Sequence, residues 1–206
     1  MGTPRAKGRP KHFDRDEALN SALRVFYENG YEATSVAQLG EAMNMKPPSL
    51  YNAFGDKEKL FIEVLEHYHR PYRESVSQIF SRAQTTQETI RQLMEMAKTM
   101  HGSNNAIGCL VANSTVNVGT VDSPIAEKIK SLHETTEKMI AQRLREGQKK
   151  GDISPEVKVT GLARYISGIL LGAAALARGQ KSPAAVKDLL DHGYQGFLRL
   201  ARPEQP

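Results

Sequence analysis

The side chains best suited to chemistry lie between residues 34 and 57, where hydroxyl, amide and amine groups recur within a short stretch. These residues are Thr34, Ser35, Lys46, Ser49, Tyr51, Asn52 and Lys57, with Pro47 beside them. Hydroxyl groups and amines bind phosphate oxygens, and an asparagine amide can form two hydrogen bonds with adenine. Taken one at a time, each is as well explained as an ordinary solvent-facing polar residue. As a cluster, they predict contact with double-stranded DNA.

The helices that carry these residues have recognisable beginnings and ends. The carboxylate of Asp14 can cap a first helix while Glu17 reaches back to it, and Gly30 can end that helix. Ser35 and Gln38 repeat the capping pattern at the start of a second helix. The pattern therefore predicts two helices that meet close to Thr34 and Ser35.

A sharp turn and a third, very short helix follow. Asn44 tolerates the left-handed conformation that such a turn requires, and Pro47 and Pro48 fit only a first helical turn. The third helix is predicted from about Pro47 to Phe54, and Asp56 then caps a long fourth helix. Two short helices joined by a tight turn suit a helix placed in the major groove.

The remainder of the chain also has helical spacing, without a convincing alternating pattern for a strand. Pro71 is expected to kink or break the fourth helix. Five further helices are predicted over residues 87–101, 106–118, 124–150, 155–178 and 182–201. The predicted fold is all-α with about nine helices: a helix-turn-helix domain at 13–56 and a ligand-binding and dimerisation domain at 57–201. A flexible basic arm at 1–12 precedes them, and a frayed tail at 202–206 follows.

Composition narrows the class of protein. The 206 residues carry a net charge of +5, with 39% hydrophobic and 25% charged residues, which is typical of a globular chain. The longest apolar run is short and interrupted, so we expect neither a membrane span nor a secretory signal. A single cysteine, Cys109, fits a reducing cytoplasm. In the arm, Arg9 and Lys11 are candidate DNA contacts, although a solubilising disordered tail is the simpler explanation of the arm taken alone.

The chain resembles the TetR family (tetracycline-repressor-like transcriptional regulators). The matching letters are F-Y-x-x-G-Y-x-A-T-S at 26–35 and S-L-Y-N-A-F-G-D-K-E-K-L at 49–60. The turn departs from the pattern, since it reads Met-Asn-Met-Lys at 43–46 and Pro48 replaces a frequent glycine. The resemblance implies that Tyr51 gives its hydroxyl to a phosphate and that Lys57 is a second phosphate contact.

The resemblance also implies a small-molecule cavity among the central helices. Candidate lining residues are Met94, Met100, His101, Cys109, Asn113, Asn117, His133 and Tyr165. For the polar members, an ordinary core or surface role is an equally simple explanation. Cys109 has a further alternative as a reactive thiol that senses electrophiles or oxidants, set against a small buried hydrophobe.

The last two helices carry wide apolar stripes that predict a four-helix interface between two copies of the chain. The residues assigned to it are Leu162, Ile166, Ile169, Leu170, Leu190 and Phe197. The alternative is that these stripes form the core within one chain.

These patterns together predict a homodimeric, cytoplasmic repressor that binds a palindromic operator and is released by a small apolar or amphipathic effector. Three alternatives remain: a partner-controlled regulator without a ligand, an activator, and the thiol sensor. No arrangement of residues indicates catalysis, a metal site or a cofactor. His67 and His69, for example, are two apart and point to different sides of a helix.

Overall fold

The structure is a computed structural model that describes residues 14–103, 108–118, 122–179 and 182–202, without the side chains of 115–118. These residues form nine α-helices and contain no strand, which confirms the predicted all-α class. The helices are α1 Arg15–Ala33, α2 Val36–Ala42, α3 Pro47–Phe54, α4 Lys57–Arg82, α5 Thr86–His101, α6 Leu110–Val118, α7 Pro124–Lys150, α8 Val159–Gly179 and α9 Pro183–Leu200. Arg9 and Lys11 lie outside the described residues, as does the side chain of Asn117.

The chain divides into two compact units, residues 1–57 and 58–206. In the first, the Asp14 carboxylate accepts hydrogen bonds from the backbone N–H groups of Asp16 and Glu17, at 2.9 and 3.1 Å, and so caps α1. Gly30 has a φ of 77° and a ψ of 173°, outside the helical region, and ends the first helical run; a second, short run follows as far as Ala33. The predicted stop at Gly30 is confirmed, as a kink between the two runs.

The start of α2 and the turn after it follow the sequence patterns closely. The Ser35 hydroxyl accepts from the Gln38 N–H while the Gln38 side chain accepts from the Ser35 N–H, which confirms the predicted capping box. Asn44 takes a φ of 51°, and Pro47 is the first residue of α3. The missing N–H groups of the two prolines therefore fall where a helix has no internal acceptor for them.

Helix α4 continues through Pro71, so of the two predicted outcomes, a kink or a break, the break does not occur. Proline removes one hydrogen bond from a helix interior, but packing on both sides can hold the helix together. Immediately downstream, the Ser75 hydroxyl donates to the Pro71 carbonyl oxygen at 2.9 Å.

The core of the second unit is formed mainly by α5, α7, α8 and α9. Four residues predicted to lie in a dimer interface are instead buried within the single chain. Leu162, Ile166, Leu190 and Phe197 are at most 4% exposed and belong to this core. Their assignment to the interface is therefore corrected, and only Ile169 and Leu170, which are half-buried, remain of the six.

Among the described residues, α8 is the one helix long and apolar enough to cross a membrane, with a mean hydropathy of 1.5. The sequence had predicted no such span. One side of α8 supplies Leu162, Ala163 and Ile166 to the core, as expected of the central helix of a folded unit. Only 28% of the most apolar stretch of α8 is buried, so much of the apolar surface of this helix lies outside the core.

A buried arginine connects three segments of the second unit. Arg143 on α7 is 7% exposed; its Nε donates to the Thr89 hydroxyl oxygen and one Nη to the Ala83 carbonyl oxygen, both at 2.9 Å. Its other Nη lies 3.6 Å from the carboxylate of Glu146, which is half exposed. The guanidinium group therefore binds α7 to the start of α5 and to the residue after α4.

We expect Arg143→Met to destabilise the protein by about 2–3 kcal/mol, because the Ala83 carbonyl loses a charged donor in a buried setting. Methionine keeps most of the side-chain volume, so packing loss adds little. Glu146→Gln is the matched control and should change stability by less than about 1 kcal/mol, since an exposed ion pair contributes little. Urea unfolding monitored by circular dichroism measures both. Equal stability of wild type and Arg143→Met would contradict a stabilising role for the buried guanidinium.

Candidate nucleic-acid interface and ligand cavity

Helix α3 has one buried side and one exposed polar side. Leu50 and Phe54 are 0% and 5% exposed, so they anchor the helix in the first unit. The side chains predicted to contact DNA lie on the other side and are all exposed: Lys46, Pro47, Ser49, Tyr51 and Asn52. Tyr51 is 49% exposed, an unusual position for a large aromatic ring. The short helix thus presents an amine, a hydroxyl, a phenol and an amide to solvent.

Two residues that the sequence patterns did not single out hold α3 in place. The Arg15 guanidinium lies 4.4 Å from the centre of the Phe54 ring and donates to the Ala53 carbonyl oxygen at 3.0 Å. A Cβ on Gly40 would lie 2.8 Å from the Met45 carbonyl oxygen, so only glycine lets the turn pass this close to α2. A glycine inside a seven-residue helix was a signal that could have been noticed.

Lys57 makes its contacts within the first unit. Its ammonium donates to the carbonyl oxygens of Tyr31 and Thr34, each at 2.9 Å, and lies 4.3 Å from the centre of the Tyr31 ring. An ammonium group has three N–H donors, so one is left for a phosphate. The side chain is therefore held in a fixed position by contacts within the first unit.

The structure corrects the prediction for Thr34. This residue is 2% exposed, its hydroxyl donates to the Gly30 carbonyl oxygen at 2.6 Å, and its N–H donates to the Tyr31 carbonyl oxygen. Its side chain stabilises the end of α1 and is not available to a phosphate. Ser35 is exposed, although its hydroxyl already takes part in the capping box with Gln38.

The second unit encloses a cavity of about 380 Å³, within the range of small-molecule sites. Five helices and the residue just before α6 supply its walls. The lining residues are Tyr68, His69, Pro71 and Tyr72 from α4; Ala97, Met100 and His101 from α5; Cys109, Val111 and Ala112; Leu132, His133, Thr136 and Glu137 from α7; and Arg164, Ser167, Gly168, Leu170, Leu171 and Ala174 from α8.

Half of the residues predicted for the cavity line it, and these are Met100, His101, Cys109 and His133. Met94 does not, because it is 1% exposed within the core. Tyr165 instead directs its hydroxyl to the Gly193 carbonyl oxygen at 3.2 Å. Asn113 is half-buried but is not among the lining residues.

The residues that the prediction missed come mainly from α4 and α8. Tyr68, His69 and Tyr72 form one wall from α4, where Tyr72 follows His69 by three residues and Tyr68 by four, a spacing visible in the sequence. Ser167 lines the cavity from α8. No group of three or more histidine, cysteine, aspartate or glutamate side chains within the described residues is arranged to hold a metal ion.

Burial disfavours the charged forms of three histidines and one tyrosine in the cavity. Burial, with the nearby charges of Arg73, His133 and Lys128, lowers the pKa of His69 to about 4. Burial also lowers the pKa values of His101 and His133. For Tyr72, burial and then Cys109 raise the pKa to about 12. At the rim, the Arg164 Nε lies 3.2 Å from the Glu137 carboxylate, so these two charges compensate each other.

Two family models cover most of the chain. Residues 18–64 match the model described as bacterial regulatory proteins, tetR family, and residues 87–192 match the tetracyclin repressor-like C-terminal domain. These ranges contain the exposed side of α3 and most of the walls of the cavity. The match confirms the resemblance found in the sequence.

Named relatives agree with this assignment. The HTH-type transcriptional repressor ComR of Escherichia coli (strain K12) is 35% identical over 176 residues, covering 84% of each chain. The uncharacterized HTH-type transcriptional regulator YezE of Bacillus subtilis (strain 168) is 27% identical, covering 90% of this chain and 95% of that one.

Solved structures share the fold along nearly the whole chain. The TetR-family regulator CifR, as a cysteine mutant bound to a 26-base-pair operator, has a TM-score of 0.79 and 29% identity, covering 91% of this chain and 98% of its own. A TetR regulator of Chloroflexus aurantiacus J-10-FL has a TM-score of 0.82 at 20% identity, covering 92% and 96%, and so supports the fold alone. The chain belongs to the TetR family of bacterial regulatory proteins, whose members bind DNA and regulate transcription.

Proposed function

We propose that the protein is a homodimeric transcriptional repressor that binds a palindromic operator and leaves it when a small molecule fills the cavity. The observation that carries this proposal is the exposed polar side of α3, held on an anchored helix. Two relatives support it: ComR is named as a repressor, and CifR has been solved on operator DNA.

In the proposed complex, α3 enters the major groove and its polar side meets the base edges. Asn52 pairs with an adenine, while Lys46 and Ser49 contact bases or phosphates beside it. Tyr51, Ser35 and the remaining N–H of Lys57 bind the phosphate backbone. Arg9 and Lys11 of the N-terminal arm add further phosphate contacts.

One short recognition helix gives little affinity, so two copies are needed, on half-sites about 34 Å apart or a multiple of it. The exposed side of α8 supports this dimer, because it carries small residues: Gly161, Gly168 and Ala175. A Cβ on Gly168 would have no neighbour within 4 Å in this chain, although glycine inside a helix costs about 0.5–1 kcal/mol. Close approach of a second α8 gives a reason for the small side chains, and Ile169 and Leu170 supply apolar area next to them.

Release requires a ligand that binds the released state more tightly than the DNA-bound state. Four residues of α4 line the cavity, and α4 begins at Lys57, with only two residues between it and the end of α3. A ligand that repositions α4 would therefore change the separation of the two recognition helices in the dimer. Pro71 lines the cavity from within α4, at a point where the helix lacks one hydrogen bond, and we propose that α4 bends there.

Asn52→Ala should weaken operator binding by tenfold or more, because a two-bond contact with adenine contributes about 1–3 kcal/mol. Lys46→Ala should also weaken binding and reduce its dependence on salt concentration, since it removes a cation from the complex. Fluorescence anisotropy with the promoter region of the protein's own gene measures both effects. The experiment is repeated at several salt concentrations.

The matched control is Lys149→Ala, which removes an equally exposed lysine from the last turn of α7. It should leave operator affinity within about twofold of wild type. If all three variants bind alike, or if wild type binds none of the neighbouring promoters at low salt, α3 is not the recognition element.

Ala175→Arg should convert the dimer into a monomer, because a long charged side chain cannot fit between closely packed helices. The residue is exposed in the single chain, so the fold should tolerate the change. Light scattering after size-exclusion chromatography gives the mass of each species. Gln142→Arg, at an exposed position of α7, is the control and should remain dimeric. A dimeric Ala175→Arg protein would place the interface elsewhere.

A further inference from the structure

We infer that the cavity binds an uncharged, mostly hydrocarbon molecule with at least one hydroxyl or carbonyl group, which hydrogen-bonds to His101 and Ser167. The inference rests on the proposed role of this cavity as the effector site and adds the chemical class of the effector. It depends on three features of the walls: their apolar area, two buried polar groups without partners, and the balance of charge.

The walls are mainly apolar. Leu132, Leu170, Leu171, Val111 and Ala174 contribute aliphatic surface from three different helices. Burial of hydrocarbon against such walls is the main favourable contribution to binding, and it is not directional. Orientation and selectivity must therefore come from the few polar groups in the lining.

His101 is the first of these polar groups. It is 7% exposed, and its Nδ1 is buried without a hydrogen-bond partner among the described residues. By contrast, Nδ1 of the exposed His192 lies 2.8 Å from the Asp188 carbonyl oxygen one turn earlier. The His101 ring lines the cavity, and rotation about χ2 exchanges its nitrogen and carbon edges. A ligand hydroxyl can donate to or accept from this ring, so it suits either tautomer.

Ser167 is the second polar group of the lining that has no hydrogen-bond partner in the described part of the chain. Hydroxyl groups on the helices of this protein commonly donate to a carbonyl one turn earlier, as Ser75, Thr89 and Ser114 do at 2.8–2.9 Å. The Ser167 hydroxyl does not, and it is buried without a partner in the described part of the chain. Ser167 lines the cavity, and rotation about χ1 can turn its hydroxyl toward a ligand. Because buried polar groups are nearly always hydrogen-bonded, this unpaired hydroxyl indicates what the ligand supplies.

The charge balance within the lining disfavours an ionic ligand of either sign. Arg164 and Glu137 are the formally charged side chains in the described lining, and they pair with each other at the rim, where they are 72% and 34% exposed. The lowered pKa values of His69, His101 and His133 leave these rings neutral. A carboxylate or an ammonium group would thus lose its hydration without gaining a buried counter-charge.

The test uses two sets of probes that share a skeleton and differ in one group. The first set is biphenyl, 4-phenylphenol, 4-phenylbenzoate and 4-phenylbenzylammonium; the second is decan-1-ol, decanoate and decylammonium. Binding to the full-length protein at pH 7.5 is measured by titration calorimetry and by the rise in unfolding temperature. We expect the neutral hydroxyl compounds to bind at least tenfold more tightly than their charged counterparts, and 4-phenylphenol to bind more tightly than biphenyl.

The double variant His101→Leu, Ser167→Ala should lose about tenfold in affinity for 4-phenylphenol and little for biphenyl, since only the hydrogen bonds are removed. Ser114→Ala is the matched control: it removes a buried hydroxyl that donates to the Leu110 carbonyl oxygen and is not part of the lining. Its preference among the probes should equal that of wild type. If the double variant does not fold, the ranking of probes on wild type still decides the question.

Three results would overturn the inference: charged probes that bind as tightly as the hydroxyl compounds, equal affinity for biphenyl and 4-phenylphenol, or no binding of either neutral skeleton. Operator release is measured separately, by anisotropy with the same probes. Tight binding of neutral probes without release would refute the proposed release mechanism and leave the ligand class intact. Release by a charged compound alone would refute the ligand class and leave the mechanism standing.

Discussion

The contact between Lys57 and the end of α1 determines where α2 and, after the turn, α3 are placed in the first unit. The carbonyl oxygens of Tyr31 and Thr34 belong to a last helical turn, where the chain itself offers few further N–H donors. The Lys57 ammonium binds both and also lies over the Tyr31 ring. Because Thr34 leads directly into the Ser35 cap of α2, this contact fixes the point from which α2, the turn and α3 are built.

This dependence follows from how short the two helices are. Helices α2 and α3 have seven and eight residues, too few to be stable in isolation. Most of their backbone groups are terminal, so caps, turns and buried anchors provide the stability. Arg15 holds the end of α3 through Phe54 and the Ala53 carbonyl, and Leu50 holds its centre. Because stability comes from the buried side, the exposed side can carry Lys46, Ser49 and Asn52, the residues proposed for DNA recognition.

What the sequence could predict was local. The Ser35–Gln38 box, the left-handed Asn44 and the Pro47 helix start each depend on residues within one turn, and each was predicted correctly. The errors concern contacts between distant segments. An apolar stripe has the same spacing whether it meets its own chain or a second copy, so Leu162 and Phe197 were misassigned. Burial of Thr34 and continuity of α4 through Pro71 also depend on packing that spacing does not encode. The cavity was expected, but its α4 wall was not.

The cavity and α3 differ in how fully their polar groups are paired, and the proposed release mechanism depends on this difference. Around α3, the buried donors and acceptors described above are matched within the chain, so the geometry is fixed. In the cavity, His101 and Ser167 leave buried polar atoms unmatched in the described structure, which raises the free energy of the empty state. A ligand that supplies those bonds stabilises whichever arrangement of α4, α5 and α8 closes around it. A ligand shifts an equilibrium only through contacts that differ between the two states. Unmatched groups in a cavity that α4 also lines can give a ligand contacts that differ when α4 moves.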